Sequence, residues 1–341
     1  MNAPLLELSE LTVQYPLKGA GVFGLSGRPV VHAVEGVSLT VEAGQIVALV
    51  GESGCGKSTV ARTIVGLQHA TSGQVIFDGT DITGLRAGAL RPYRRAIQLV
   101  HQDPYDALDP RMPVRAIVEE GLRIHQVPRV NRDAIVRGAL ERVGLTPADW
   151  VLDRFPHQLS GGQRQRVAIA AAIALTPRLL VADEPVSMLD VSVRASVLEL
   201  IDNLRRDGLA VLIITHDLAG AVMLADRIAV MYFGRIVEEG PVGEVMEYPA
   251  HPYTRALLSA IPSPDPAVRT EPDVVPGELP DAVHPPPGCA FASRCPVAEL
   301  RCGESVPALI EVEPGHRAAC VLAARGLIPN AATPRPPSVS T

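Results

Sequence analysis

The sequence predicts an α/β protein built on a largely parallel sheet, and three features carry that expectation. Over residues 1–260 short β-rich apolar runs alternate with helical stretches. Apolar residues make up 47% of the chain and aromatic ones only 4%, so the core is to be aliphatic, built from Val, Ile, Leu and Ala. A glycine-rich turn follows one of the apolar runs and opens a helix. At 341 residues the chain is about twice the usual ~150 of a single domain, which leaves room for one large or two modest domains.

In chain order, buried strands are expected at Ile46–Val50, Ile97–Val100, Leu179–Ala182 and Ala210–Thr215. Each is a short apolar run with a polar or glycine-rich segment beside it. Residues 103–163 contain helical pieces, Val114–Val127 and Arg132–Val143, and no convincing strand, so they read as a helical insertion between two sheet strands. Proline marks the end of this domain at about 260: of 31 prolines, 16 lie from Pro262 onward. Residues 262–287 read as a linker or extended wrap, 261–322 as a small extension holding four of the five cysteines, and 323–341 as a disordered tail. There is no internal repeat.

Composition removes several functions. A net charge of −6 counts against a dedicated nucleic-acid binder. The longest apolar runs, such as Val167–Leu175, reach about half of the ~20 residues a membrane span needs. The opening Met1-Asn-Ala-Pro-Leu-Leu-Glu lacks a basic start and a long apolar stretch, so it does not read as a signal peptide. A cytoplasmic location with peripheral membrane contact is therefore expected. In that compartment five cysteines do not make a disulfide scaffold.

Gly51-Glu-Ser53-Gly54-Cys55-Gly56-Lys57-Ser58-Thr59 fits the pattern GxxxxGK[ST] between a strand and a helix. Its glycines let the backbone wrap a phosphate chain at a helix N-terminus. Lys57 supplies a mobile positive charge to the β- and γ-phosphates, and the Ser58 hydroxyl suits Mg²⁺. Asp183 and Glu184 end an apolar strand, where Asp183 can reach the same Mg²⁺ and Glu184 can polarise the attacking water. Ser160-Gly161-Gly162-Gln163 precedes a helix, Arg164–Leu175, and forms a second anion-suited N-terminus.

With its leading leucine, that last segment resembles the signature of ABC-type ATPases, and the rest of that family's set follows in order. The resemblance implies an ABC-type nucleotide-binding core with a parallel sheet, an N-terminal β-subdomain and the helical insertion. It implies that Gln102 is the glutamine at the Mg²⁺ and coupling site, and that Ser187-Met-Leu-Asp190 is the D-loop. His216 is then the switch histidine at the γ-phosphate, and Tyr15 the aromatic that stacks on adenine. Mg²⁺ would lie on Ser58, Gln102 and Asp183, and the signature residues 160–163 would reach the ATP of a partner subunit.

Beyond residue 240, His251-Pro-Tyr-Thr-Arg-Ala-Leu-Leu-Ser-Ala-Ile-Pro262 and Gly288-Cys-Ala-Phe-Ala-Ser-Arg-Cys-Pro296 are similar to oligopeptide/dipeptide importer ATPases, of the second ATPase type. The implied function is ATP hydrolysis driving peptide import. The implied partners are a second, related ATPase subunit, two permease chains and an external solute-binding protein, with no nucleic acid. Two departures, His101 before the glutamine and Ala171 in the signature helix, leave the phosphate chemistry untouched. The same machinery carrying nickel, glutathione or an antimicrobial peptide stays open, as does, remotely, a soluble ABC ATPase outside transport. Cys289, Cys295, Cys302 and Cys320 are separated by five, six and seventeen residues. Four free thiols, a zinc site and, as the resemblance implies for some members, a [4Fe–4S] cluster are all compatible with that spacing. His316, four residues before Cys320, reads as a surface residue.

Overall fold

Burial along the strands sorts them into two kinds in the computed structural model, which describes residues 3–17, 29–103, 107–261 and 280–326. In β1 (Leu6–Pro16) and β2 (Val30–Val41) buried positions largely alternate with half-exposed ones, the mark of a sheet covered on one face. In β3 (Ile46–Val50) every residue is buried. Then come β4 (Ser72–Phe77), β5 (Thr80–Asp81), β6 (Ile97–Val100), and the fully buried β7 (Leu179–Asp183) and β8 (Ala210–Thr215). The chain continues through β9 (Arg227–Tyr232), β10 (Arg235–Pro241), β11 (Ile310–Glu313) and β12 (His316–Ala318).

The half-covered strands form an antiparallel sheet in the order β2-β1-β4-β5. The larger sheet runs β11-β12-β10-β9-β3-β8-β7-β6. Its five strands from β9 to β6 are parallel, and β10, β12 and β11 add antiparallel neighbours at the other end. The expectation of a largely parallel sheet is met at the four strands read from sequence and altered at that edge.

Strand periodicity divides the core between the two faces of the parallel sheet. Ile46, Leu180, Val211 and Ile213 pack with the helical insertion, against Leu122, Leu140 and Val167. Val47, Leu49, Val181, Leu212 and Ile214 pack with the antiparallel sheet and with Val60 and Ile64 of the helix Lys57–Ile64. The insertion's helices run Val114–Ile124 and Arg129–Arg142. The first stops short of the expected Val127 because Gln126 adopts left-handed backbone (φ 59), and Pro128 then starts the second.

The C-terminal extension is not a separate body. Its β12 pairs with β10, Glu238 opposite Ala318 and Glu239 opposite Arg317. This corrects the reading of His316 as a surface residue: it is fully buried, with Nε2 2.7 Å from Glu238 Oε1. Of the stretch 323–341 expected to be a disordered tail, Ala323–Arg325 form a 3₁₀ turn with Ala323 packed against Ala250 and Ala318. The remainder of that stretch (327–341), most of the linker (262–279) and residues 18–28 lie outside the described residues. Among the described residues, no helix is long and apolar enough to cross a membrane.

Candidate nucleotide-binding site

The turn between β3 and the helix Lys57–Ile64 is held down onto its neighbours so tightly that only glycine fits. A Cβ on Gly51 would lie 2.1 Å from the Met231 carbonyl oxygen, and one on Gly56 (φ 108) would lie 2.2 Å from that of Ala33. Across this turn the buried Lys57 ammonium donates to the carbonyls of Gly51 at 2.7 Å and Glu52 at 2.9 Å. Ser53 and Gly54 are exposed at its mouth, whereas Cys55 is buried, which pushes its thiol up against the opposing pull of Lys57. Tyr15, at the end of β1, donates its hydroxyl to Thr59 Oγ1 at 3.4 Å.

Beside the turn, β7 ends on two buried acids. Ser58 Oγ donates to Asp183 Oδ1 at 3.2 Å. Burial pushes the Asp183 carboxyl up, the Ser58 hydroxyl opposes this, and the neighbouring Glu184 charge adds to the rise. Glu184 has left-handed backbone (φ 52), and its N–H donates to the Ile214 carbonyl at 2.7 Å. Its Oε1 accepts from the His216 N–H at 3.1 Å and lies 2.7 Å from His216 Nδ1. Its Oε2 is buried without a hydrogen-bond partner among the described residues. Gln102 is exposed two residues beyond β6, whose Val100 pairs with Ala182, so it shares the sheet edge on which Asp183 stands.

This acceptor-rich corner fits a hard divalent cation with oxygen ligands, and the glycine turn with a buried lysine fits a phosphate chain. Ser160 caps the helix Gly161–Ile173, accepting from Gln163 N–H at 3.3 Å while Gln163 Oε1 accepts from Ser160 N–H at 3.0 Å. That helix packs in the insertion's core, and Lys57–Ile64 packs in the other. Asp190 is exposed at the N-cap of the helix Val191–Arg206. The fold therefore gathers Tyr15, the turn 51–59, Asp183, Glu184 and His216, with Gln102 on the same edge. It sets Ser160–Gln163 and Asp190 on separate helix starts.

Comparison with known proteins bears directly on this arrangement. The family model described as ABC transporter matches residues 34–187, and that described as oligopeptide/dipeptide transporter, C-terminal region, matches residues 237–302. The chain is 47% identical over 322 residues to the "Probable peptide ABC transporter ATP-binding protein y4tS" of Sinorhizobium fredii, covering 94% of this chain and 90% of that one. It is 43% identical to the oligopeptide transport ATP-binding protein OppF of Salmonella typhimurium, over 89% of this chain and 92% of that one. The chain belongs to the ABC transporter ATP-binding family. Within that family, the cassette MJ0796, in a dimeric post-hydrolysis state bound to ADP and Pi, superposes with a TM-score of 0.61 at 29% identity. It covers 70% of this chain and 98% of its own. The cbiO1 cassette of Clostridium perfringens gives a TM-score of 0.62 at 29% identity, covering 72% and 92%.

The C-terminal region gathers the four cysteines read from the sequence and makes a contact to the phosphate turn that the sequence reading did not foresee. Cys289, Cys295, Cys302 and Cys320 all line one pocket with His251 and Phe291, as free thiols. Burial pushes the Cys289 thiol up to about 11, and the other three thiols add to the effect. Among the described residues, no group of three or more His, Cys, Asp and Glu side chains is arranged to hold a metal ion. The aromatic side of this lobe reaches the phosphate turn: Glu52 N–H donates to Tyr253 Oη at 2.9 Å, and Arg294 pairs with the Glu52 carboxylate. The one local signal for Tyr253 is the proline before it, which starts the helix Pro252–Ser259 after the capping His251.

Proposed function

We propose that this chain binds MgATP and hydrolyses it to drive import of peptides, dipeptides or oligopeptides, through an ABC transporter. The observation that carries the chemistry is Glu184: a buried carboxylate with one oxygen held by His216 and the other without a partner among the described residues, next to the Ser58–Asp183 pair. In this reading Gly51 and the stretch Ser53–Thr59, with the Lys57 ammonium, hold the phosphates, and Tyr15 stacks on adenine. Ser58, Asp183 and Gln102 would hold Mg²⁺, which neutralises phosphate charge when bound. Glu184 takes the proton of the attacking water, His216 orients Glu184, and Gln102 links the site to the membrane subunits.

Ser160–Gln163 and Asp190 complete the site of a second, related ATPase subunit. The dimeric state of the MJ0796 cassette supports pairing of this kind. Two permease chains and an external solute-binding protein make up the rest, and the chain works peripherally on the cytoplasmic face. The peptide cargo is supported by the relatives' names and by the match at residues 237–302. The [4Fe–4S] reading has one support, convergence of four thiols on one pocket. Anaerobic iron and sulfide analysis tests it: a colourless protein lacking both removes it, and stoichiometric zinc replaces it.

The test of the ATPase reading is Glu184→Gln in the assembled transporter. ATP binding is retained while hydrolysis falls ~10²–10⁴-fold, the contribution of a general base. Hydrolysis at the parental rate would remove Glu184 from the mechanism.

A further inference from the structure

The second residue of the phosphate turn is acidic, although the turn is read as a cradle for a polyanion. A carboxylate there repels the ligand unless it is neutralised. Glu52 is neutralised from far along the chain. Arg294 Nη1 donates to Glu52 Oε2 at 3.1 Å and Nη2 donates to Oε1 at 3.3 Å, a two-pronged pair.

The pair is partly withdrawn from water, the Arg294 side chain being 10% exposed and that of Glu52 32%. The guanidinium carbon lies 5.9 Å from the ring centres of both Tyr232 and Phe291, and Nη1 also donates to Tyr232 Oη at 3.3 Å. Those rings belong to one aromatic cluster with Tyr253, centred 4.5 Å from Tyr232 and 5.4 Å from Phe291. Tyr253 in turn accepts from the Glu52 backbone N–H. Side chain and backbone of Glu52 are thus both held by the C-terminal lobe, at the point where the turn leaves β3. Lys57 bonds the carbonyl of this same residue, so its placement depends on the same anchor.

We propose that Arg294 is a positioning residue for ATP: by pairing with Glu52 it cancels a repulsive charge and fixes the start of the phosphate turn. The C-terminal extension then supplies part of the nucleotide site in cis. The proposal rests on the reading of residues 51–59 as the ATP cradle.

The experiment is a double-mutant cycle on the full chain, with MgATP affinity measured by calorimetry and unfolding midpoints recorded alongside. Arg294→Met weakens ATP binding about 3- to 30-fold, the range for losing a partly desolvated charge pair. Glu52→Gln alone shifts affinity less than about threefold, since it removes the repulsive charge that Arg294 otherwise cancels. In the double variant affinity returns to within about threefold of the parent, which a purely structural role for Arg294 does not produce. In the assembled transporter Arg294→Met raises KM more than it lowers kcat. Parental affinity in Arg294→Met, or a double variant as weak as Arg294→Met alone, overturns the proposal. Should Arg294→Met not fold, Arg294→Gln removes the charge and keeps a polar side chain, and its coupling to Glu52→Gln is read instead; zero coupling overturns the proposal equally. A parent chain that does not bind MgATP would contradict the functional reading, which separates the two failures.

Discussion

At Glu184 the backbone stands at φ 52, a conformation costing a non-glycine residue on the order of 1–3 kcal/mol. Two fixed contacts hold it there: its N–H on the Ile214 carbonyl and its Oε1 on the His216 backbone. The strain turns the carboxylate off the end of β7 toward His216 after β8, the position the proposed mechanism gives the base. In the proposed site Lys57 works by charge. In Lys57→Ala the Gly51 and Glu52 carbonyls lose their donor, and the phosphates lose a charge-assisted contact worth ~1.5–3 kcal/mol. MgATP binding should fall about 10- to 100-fold, measured by equilibrium titration; unchanged affinity would place the phosphates elsewhere. These residues were legible in the sequence because each motif is local: a glycine turn after a strand, two acids at a strand end. Glu52 carried no such signal, because its partner Arg294 lies 242 residues away.

At the scale of elements, the helix Pro252–Ser259 shows how one short piece serves the site. His251 Nδ1 accepts from Tyr253 N–H at 3.1 Å and caps it, while the Ala250 and His251 N–H groups donate to Glu238 on β10. Burial depresses the imidazole to about 4, with the Glu238 charge opposing. The folded histidine is therefore neutral at pH 7, and the unfolded one gains its proton near the ordinary value of 6.5. Its contribution to stability is fully present above pH 6.5 and is lost as pH falls from there toward about 4. The loss is at most about 3 kcal/mol. Unfolding midpoints between pH 7.5 and 4.5 should drop more steeply for the parent than for His251→Asn, which keeps a capping side chain without the titration. Equal slopes would assign the acid sensitivity to other groups.

Strand pairing explains what the sequence did not show at this scale. Ile46–Val50 and Ala210–Ile214 announce themselves by being apolar throughout. The turn Glu313-Pro-Gly-His316 looks like surface, and only the pairing of β12 on β10, nearly eighty residues earlier, buries His316. The half-covered strands β1 and β2 carry register shifts that blur their alternation.

For the whole molecule, the division into two cores has a functional consequence. The phosphate turn belongs to the core beneath the antiparallel sheet, and the signature helix belongs to the core of the helical insertion. In the proposed reading, a complete site takes its signature segment from a second subunit. The isolated chain should be a poor ATPase, and its activity should rise when the partner ATPase and permeases are present. Full turnover by a monomer, independent of protein concentration, would contradict this.

Transport itself tests the proposed function most directly. The complete complex is placed in sealed vesicles with ATP inside, and binding protein and labelled peptide are supplied outside. Peptide should accumulate only with internal MgATP, in step with hydrolysis, and both should stop when this chain carries Glu184→Gln. ATP hydrolysis that continues with no accumulation of any peptide offered, or accumulation undiminished by Glu184→Gln, would contradict it.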